Sequence, residues 1–197
     1  MQVDLKSSNL ISFFIATLLC GCAAAPKYSE PTNNRVRMRA TLAATPVNSS
    51  ATVFRFEDDE CDESTKKLIA GLSQSLLMDQ FKNSQLQSLG MPNPPSPQNS
   101  YSEVYIPANT IFRGKFSVVL HFGNNVRSCD VNFGFESDAR SDYEVVVSVA
   151  NGRQFLNNNT DACFVTASKL TLASEKVLSS PIKLLERDKI CRKGIKK

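Results

Sequence analysis

The sequence predicts a mainly β chain that closes into an antiparallel β-sandwich carrying one helical insertion. Three observations lead there. From Tyr101 onward, apolar and polar residues alternate through Val104–Pro107, Ile111–Phe122, Val126–Phe135, Tyr143–Val149 and Cys163–Leu172. Short turn-forming pieces punctuate them: 107–109, Gly123-Asn124-Asn125, 137–142 and 157–161. The chain of 197 residues is 42% hydrophobic, ordinary for a folded domain, and no apolar run reaches the roughly 18–20 residues of a spanning helix. A net charge of +4, with acids and bases mixed, does not predict a nucleic-acid partner.

Residues 1–21 read as an export signal. Lys6 precedes the apolar run Leu10–Leu19, the length of a signal-peptide core and too short to cross a bilayer. Then comes Leu19-Cys20-Gly21-Cys22, followed by Ala23-Ala24-Ala25-Pro26. This resembles the bacterial lipoprotein signal, in which a leucine and small residues precede the cysteine that receives lipid. The resemblance implies cleavage after Gly21 and acylation of Cys22. Cys20 stands where the pattern more often has Ala, Ser, Thr or Val, and Ala23 in place of Asp implies sorting to the outer membrane, facing the periplasm. Acyl chains contribute about 0.8 kcal/mol per buried CH₂, so several on one cysteine anchor a protein durably.

Residues 22–34, rich in Pro, Asn and small residues, read as a flexible tether to a domain spanning 35–180. Its first strand is Arg35–Leu42, where Val36, Met38, Ala40 and Leu42 alternate with Arg35, Arg37, Arg39 and Thr41. The three arginines admit two readings, a solvated basic face and an anion or lipid-headgroup site; the solvated face is expected. Thr52–Phe56 is the next strand. Six carboxylates follow between Glu57 and Glu63, a solvated acidic loop rather than a calcium loop, since the spacing of a helix-loop-helix calcium site is missing. Leu68, Ile69, Leu72, Leu76 and Phe81 recur near the helical period, predicting a helix from Ser64 to about Lys82. A Pro-rich irregular loop completes the insertion at about 64–100. Residues 181–197 form a basic tail, seven Lys and Arg against Glu186 and Asp188, with a possible role at an anionic membrane.

With Cys20 removed and Cys22 acylated, Cys61, Cys129, Cys163 and Cys191 remain, an even number in an oxidising compartment. Two disulfides are the default. If 126–135, 143–149 and 163–170 were consecutive neighbours in one sheet, Cys129 and Cys163 would lie two strand spacings apart, roughly 9–10 Å, beyond disulfide reach. Both pairings that join Cys61 or Cys191 to the strand cysteines stay open. The cysteine spacings and a single histidine, His121, predict no metal site.

His121 alternates away from Phe116, Val118 and Leu120 and is expected at the surface, so no base for a Ser or Cys nucleophile is in view. Phosphate-binding, dinucleotide and hydrolase signatures are missing. A carboxylate pair drawn from Asp130, Glu136, Asp138 and Asp142 keeps a hydrolytic reading open. No catalytic residue, metal or cofactor is expected.

A lipidated cysteine, a tether and a small sandwich of the immunoglobulin or transthyretin-like kind is similar to several periplasmic lipoproteins, including the transthyretin-like lipoprotein of the type VI secretion system. The helical insertion and the four further cysteines set this chain apart. The expected function is a non-catalytic binding or structural module, held to the membrane by its N-terminal lipid and contacting a protein partner in the envelope. An accessory role in secretion or conjugation, and a ligand-binding or carboxylate-dependent hydrolytic role, are the alternatives.

Overall fold

The computed structural model of the chain describes residues 27–43, 48–74, 88–149, 163–173 and 176–192. The described strands are β1 (Arg35–Leu42), β2 (Asn48–Arg55), β3 (Lys67–Gln74), β4 (Ser100–Pro107), β5 (Ile111–Phe122), β6 (Asn125–Glu136), β7 (Asp142–Val149), β8 (Cys163–Ala173) and β9 (Lys176–Pro181), followed by a single helical turn, α1 (Arg187–Ile190). They form a five-stranded sheet, β4-β1-β7-β8-β9, packed on a four-stranded sheet, β3-β2-β5-β6. This is the β-sandwich. Neighbours run antiparallel except β1 and β7, which are parallel with Met38 opposite Tyr143.

The core follows from alternation. Met38, Ala40 and Leu42 of β1, Phe116, Val118 and Leu120 of β5, and Val145 and Val147 of β7 are fully buried between the sheets. Phe112, Phe116, Phe133 and Phe135 form an aromatic chain in the four-stranded sheet, and Phe135 meets Tyr143 of the other sheet at 4.9 Å between ring centres. Gly114 of β5 sits beneath Phe133 and Phe112, where a side chain would drive into both rings.

The predicted helix is overturned at its start. Residues 67–74 are β3, antiparallel to β2, with Ala70 opposite Val53 and Leu72 opposite Ala51. Ala70, Leu72 and Gln74 are buried while Gly71 and Ser73 are exposed, a period of two that coexisted with the helical spacing. Pairing with β2 along seven residue partners decided between them. The remainder of that expectation, residues 75–82, lies outside the described residues.

The disulfides correct a second expectation. Cys129 bonds Cys163 with Cα atoms 6.2 Å apart, and Cys61 bonds Cys191 at 5.2 Å. The meander that would have separated Cys129 from Cys163 does not form, because β6 and β7 belong to different sheets. Residues 137–141 carry the chain across the sandwich, so β6 and β8 face each other along its open side. Closing a loop 34 residues apart in sequence stabilises by about 3–4 kcal/mol on the chain-entropy account.

Two segments expected to be loose are packed. Tyr28, assigned to the tether, is buried and donates its amide to the Leu68 carbonyl at 2.8 Å. Residues 182–192, assigned to the tail, form a strap. Ile182 N–H reaches Ala167, Leu185 N–H reaches Gly134 on the β6 edge, and Ile190 is buried. The strap ends on the acidic loop through the Cys61–Cys191 bond and a 2.7 Å hydrogen bond from Arg192 N–H to the Asp59 carbonyl.

Non-reducing peptide mapping should therefore return Cys61–Cys191 and Cys129–Cys163; a Cys61–Cys129 peptide would contradict the sheet assignment. Gly114→Ala should lower unfolding free energy by about 1–3 kcal/mol, the usual cost of overpacking, measured by chemical denaturation.

Candidate functional site

The arginines of β1 were expected on a solvated face, and the structure gives each a different fate. Arg39 is 0% exposed. Its Nε and Nη2 donate to Glu103 Oε1 at 3.0 and 2.8 Å. Nη1 donates to the Asn93 carbonyl at 2.8 Å, and Nη2 also reaches the carbonyls of Met91 and Pro92 at 3.0 and 3.2 Å. The second oxygen of Glu103 accepts from the Leu89 and Met91 amides.

The cover over this pair is the Pro-rich loop. Its prolines carry no N–H, so the backbone turns carbonyls inward without burying donors that need partners. Gly90 at φ +70° and Asn93 at φ +56° supply the left-handed bends that aim those carbonyls at one guanidinium. Burial alone would raise the Glu103 pKa, but the hydrogen bonds from Arg39, Met91 and Leu89 and the Arg39 charge outweigh it and hold the carboxyl below its ordinary value.

Arg37 makes a bidentate pair with Asp142, 2.9 and 2.6 Å, and donates to the Gly90 carbonyl at 3.1 Å. Arg35 lies with its guanidinium carbon 3.9 Å from the centre of the Tyr105 ring and gives one long bond, 3.4 Å, to the Pro31 carbonyl. β7 begins at Asp142, so β1 runs past it toward Arg35 with β4 on one side and no strand on the other. The gap is a cavity of about 460 Å³, walled by Arg35, Arg37, Tyr105, Arg140, Ser141 and Asp142, with Leu170 and Leu172 of β8 on the far side. Among the described residues, neither Arg35 nor Arg140 stands in an ion pair; Asp138, beside Arg140, is taken by Lys169 at 2.9 Å. Ser141 is 6% exposed and its Oγ, shut off from solvent, has no hydrogen-bond partner.

The other sequence-selected residues fall elsewhere. Cys22 lies outside the described residues. Cys61, Cys129, Cys163 and Cys191 are spent in the two disulfides. Of the four carboxylates weighed for hydrolysis, Asp130 pairs with Lys115, Asp138 with Lys169 and Asp142 with Arg37, while Glu136 is exposed at the end of β6. The acidic run is a hairpin connection between β2 and β3, with Glu63 bonded to Lys66 and Lys115, and Asp59 3.6 Å from Arg192. Those two lysines hold the Glu63 carboxyl below its ordinary value. Among the described residues, no cluster of His, Cys, Asp and Glu is placed to hold a metal ion. His121 is exposed on β5, as its alternation predicts. Glu103, Tyr105 and Ser141 escaped the sequence reading. The signal for Glu103 was present, an acid between Tyr101 and Val104, in the first half of a strand whose start sequence alternation had placed four residues later.

The cavity opens at one particular end of the sandwich. β1 starts there, with Arg35 opposite Pro107, and the chain reaches it from Lys27, which bridges Leu68 at the start of β3. The strap finishes at the same end, on the acidic loop. Neither a protein-family model nor a curated protein matches this chain.

Removing the Glu103 charge leaves the buried guanidinium with only the longer pair to Glu144, 3.5 Å from Nη1, and breaking a buried pair in this way costs up to about 3–5 kcal/mol. Glu103→Gln should be destabilised on that scale in urea denaturation at neutral pH. Because the folded carboxyl titrates below its unfolded value, its contribution is complete above the unfolded glutamate pKa of about 4.3 and is lost as pH falls through the lower folded value. The stability gap between parent and variant should shrink over that acid range and hold steady above it.

Proposed function

We propose that this chain is a lipid-anchored protein of the bacterial cell envelope whose sandwich serves as a non-catalytic binding module at the outer membrane, facing the periplasm. The packing of Tyr28 on the domain is the observation that carries this reading furthest. The described structure begins at Lys27, five residues after Cys22. At about 3.3–3.6 Å per residue, that leaves at most roughly 18 Å between the acylated cysteine and the domain. The module therefore rides close against the bilayer rather than ranging on a long leash.

Two further observations agree with it. The disulfides suit an exported, oxidising setting. The strap ends where Lys27 enters, and the sequence continues from it through Lys193, Lys196 and Lys197, a basic composition that suits an anionic membrane surface.

Cys22→Ala should abolish incorporation of radiolabelled palmitate and membrane retention of the full chain. Continued palmitate labelling of that variant would refute the anchor. Crosslinking in intact envelopes should recover a protein partner on the face away from Lys27.

A further inference from the structure

We propose that the cavity between β1 and β8 is an anion site that takes the phosphate group of a phosphate ester. Its wall carries three guanidiniums and one carboxylate, and that carboxylate is already held by Arg37 through two short bonds. Among the described residues, Arg35 and Arg140 stand in no ion pair, although the Arg140 charge also acts on Asp138 beside it. Arg35 is pre-set for the role: stacking on Tyr105 fixes the plane of its guanidinium while leaving N–H groups at its rim uncommitted. A planar fork of this kind matches two phosphate oxygens at once, and holding it in place beforehand lowers the entropy lost on binding.

Ser141 lies in the wall between Arg140 and Asp142 with its Oγ shut off from solvent, so the guanidiniums and not this hydroxyl make the anion contacts. The size and lining favour an ester over the bare ion. About 460 Å³ falls within the roughly 300–1,000 Å³ of small-ligand sites. Leu172, 71% exposed, offers apolar surface to the carbon side of such an ester.

Two sources share this chemistry: the headgroup of an anionic phospholipid, and a soluble phosphate ester. The first draws on the anchoring reading, which brings this end of the sandwich to the membrane; the site itself does not depend on it. The test is calorimetric titration of the full chain in neutral detergent with glycerol 3-phosphate, with phosphatidylglycerol doped into the micelles, and with acetate.

Saturable one-site binding is expected for at least one phosphate probe. It should weaken at least tenfold in the Arg35→Ala/Arg140→Ala variant, whose melting temperature should match the parent because both side chains are exposed. Binding of phosphatidylglycerol alone identifies a headgroup site, and binding of glycerol 3-phosphate a soluble-ester site. No saturable binding of either, undiminished binding in the double variant, or equal affinity for acetate overturns the proposal. Since the titration needs no acyl chain, its failure leaves the anchor untouched, and a Cys22→Ala chain that leaves the membrane yet still binds leaves the site standing alone.

Discussion

The outer face of the larger sheet is organised by a single buried ion pair. Arg39 and Glu103 occupy adjacent strands, paired directly opposite each other, and are excluded from water. Neither charge tolerates that position alone. Their spare hydrogen-bonding capacity is met by the backbone of residues 89–93, so the loop and the pair are mutually required. A connection whose prolines would otherwise mark it as irregular is thereby fixed over β1 and β4. The same loop then accepts from Arg37, whose other bonds hold Asp142, the first residue of β7. One desolvated pair thus reaches, through a loop, to the strand that bounds the cavity.

The charge pattern of the molecule follows a related logic. The acidic connection between β2 and β3 and the basic strap look separate along the chain, yet they meet at Cys61–Cys191 and at Asp59–Arg192. Lys115 of β5 adds a bridge between Glu63 and Asp130. Most described charges of opposite sign near this end are consumed locally. Among the described residues Arg35 and Arg140 stand outside these pairs, and they give the cavity its sign.

Much of the fold was legible in the sequence because alternation is a local property. The bounds of β1 and β5 match the alternating runs, and Phe133, Phe135, Tyr143, Val145 and Val147 are core as their spacing implies. What failed depended on contacts distant in sequence. Residues 67–74 carried two periods at once, and only β2 chose between them. The disulfide pairing was misjudged because alternation places a residue on a face but says nothing of which sheet a strand joins; the crossing at 137–141 is what brings Cys129 to Cys163. Arg39 was read as solvated for the same reason. A strand knows its two faces, but whether a loop fifty residues later covers the polar one is not written in the strand.

The route by which the chain enters the sandwich has a mechanical consequence. Residues 27–34 lead directly into β1, which is not an edge: it is paired to β4 along eight residues and to β7 along five. Tension arriving from the N-terminus would first test the isolated bridge at Lys27 and Leu68. Past Asn34 it would load two ladders together, in shear along the strand axis, so that many hydrogen bonds resist at once instead of opening in sequence. The first strand of the chain is thus the one best placed to bear a pull.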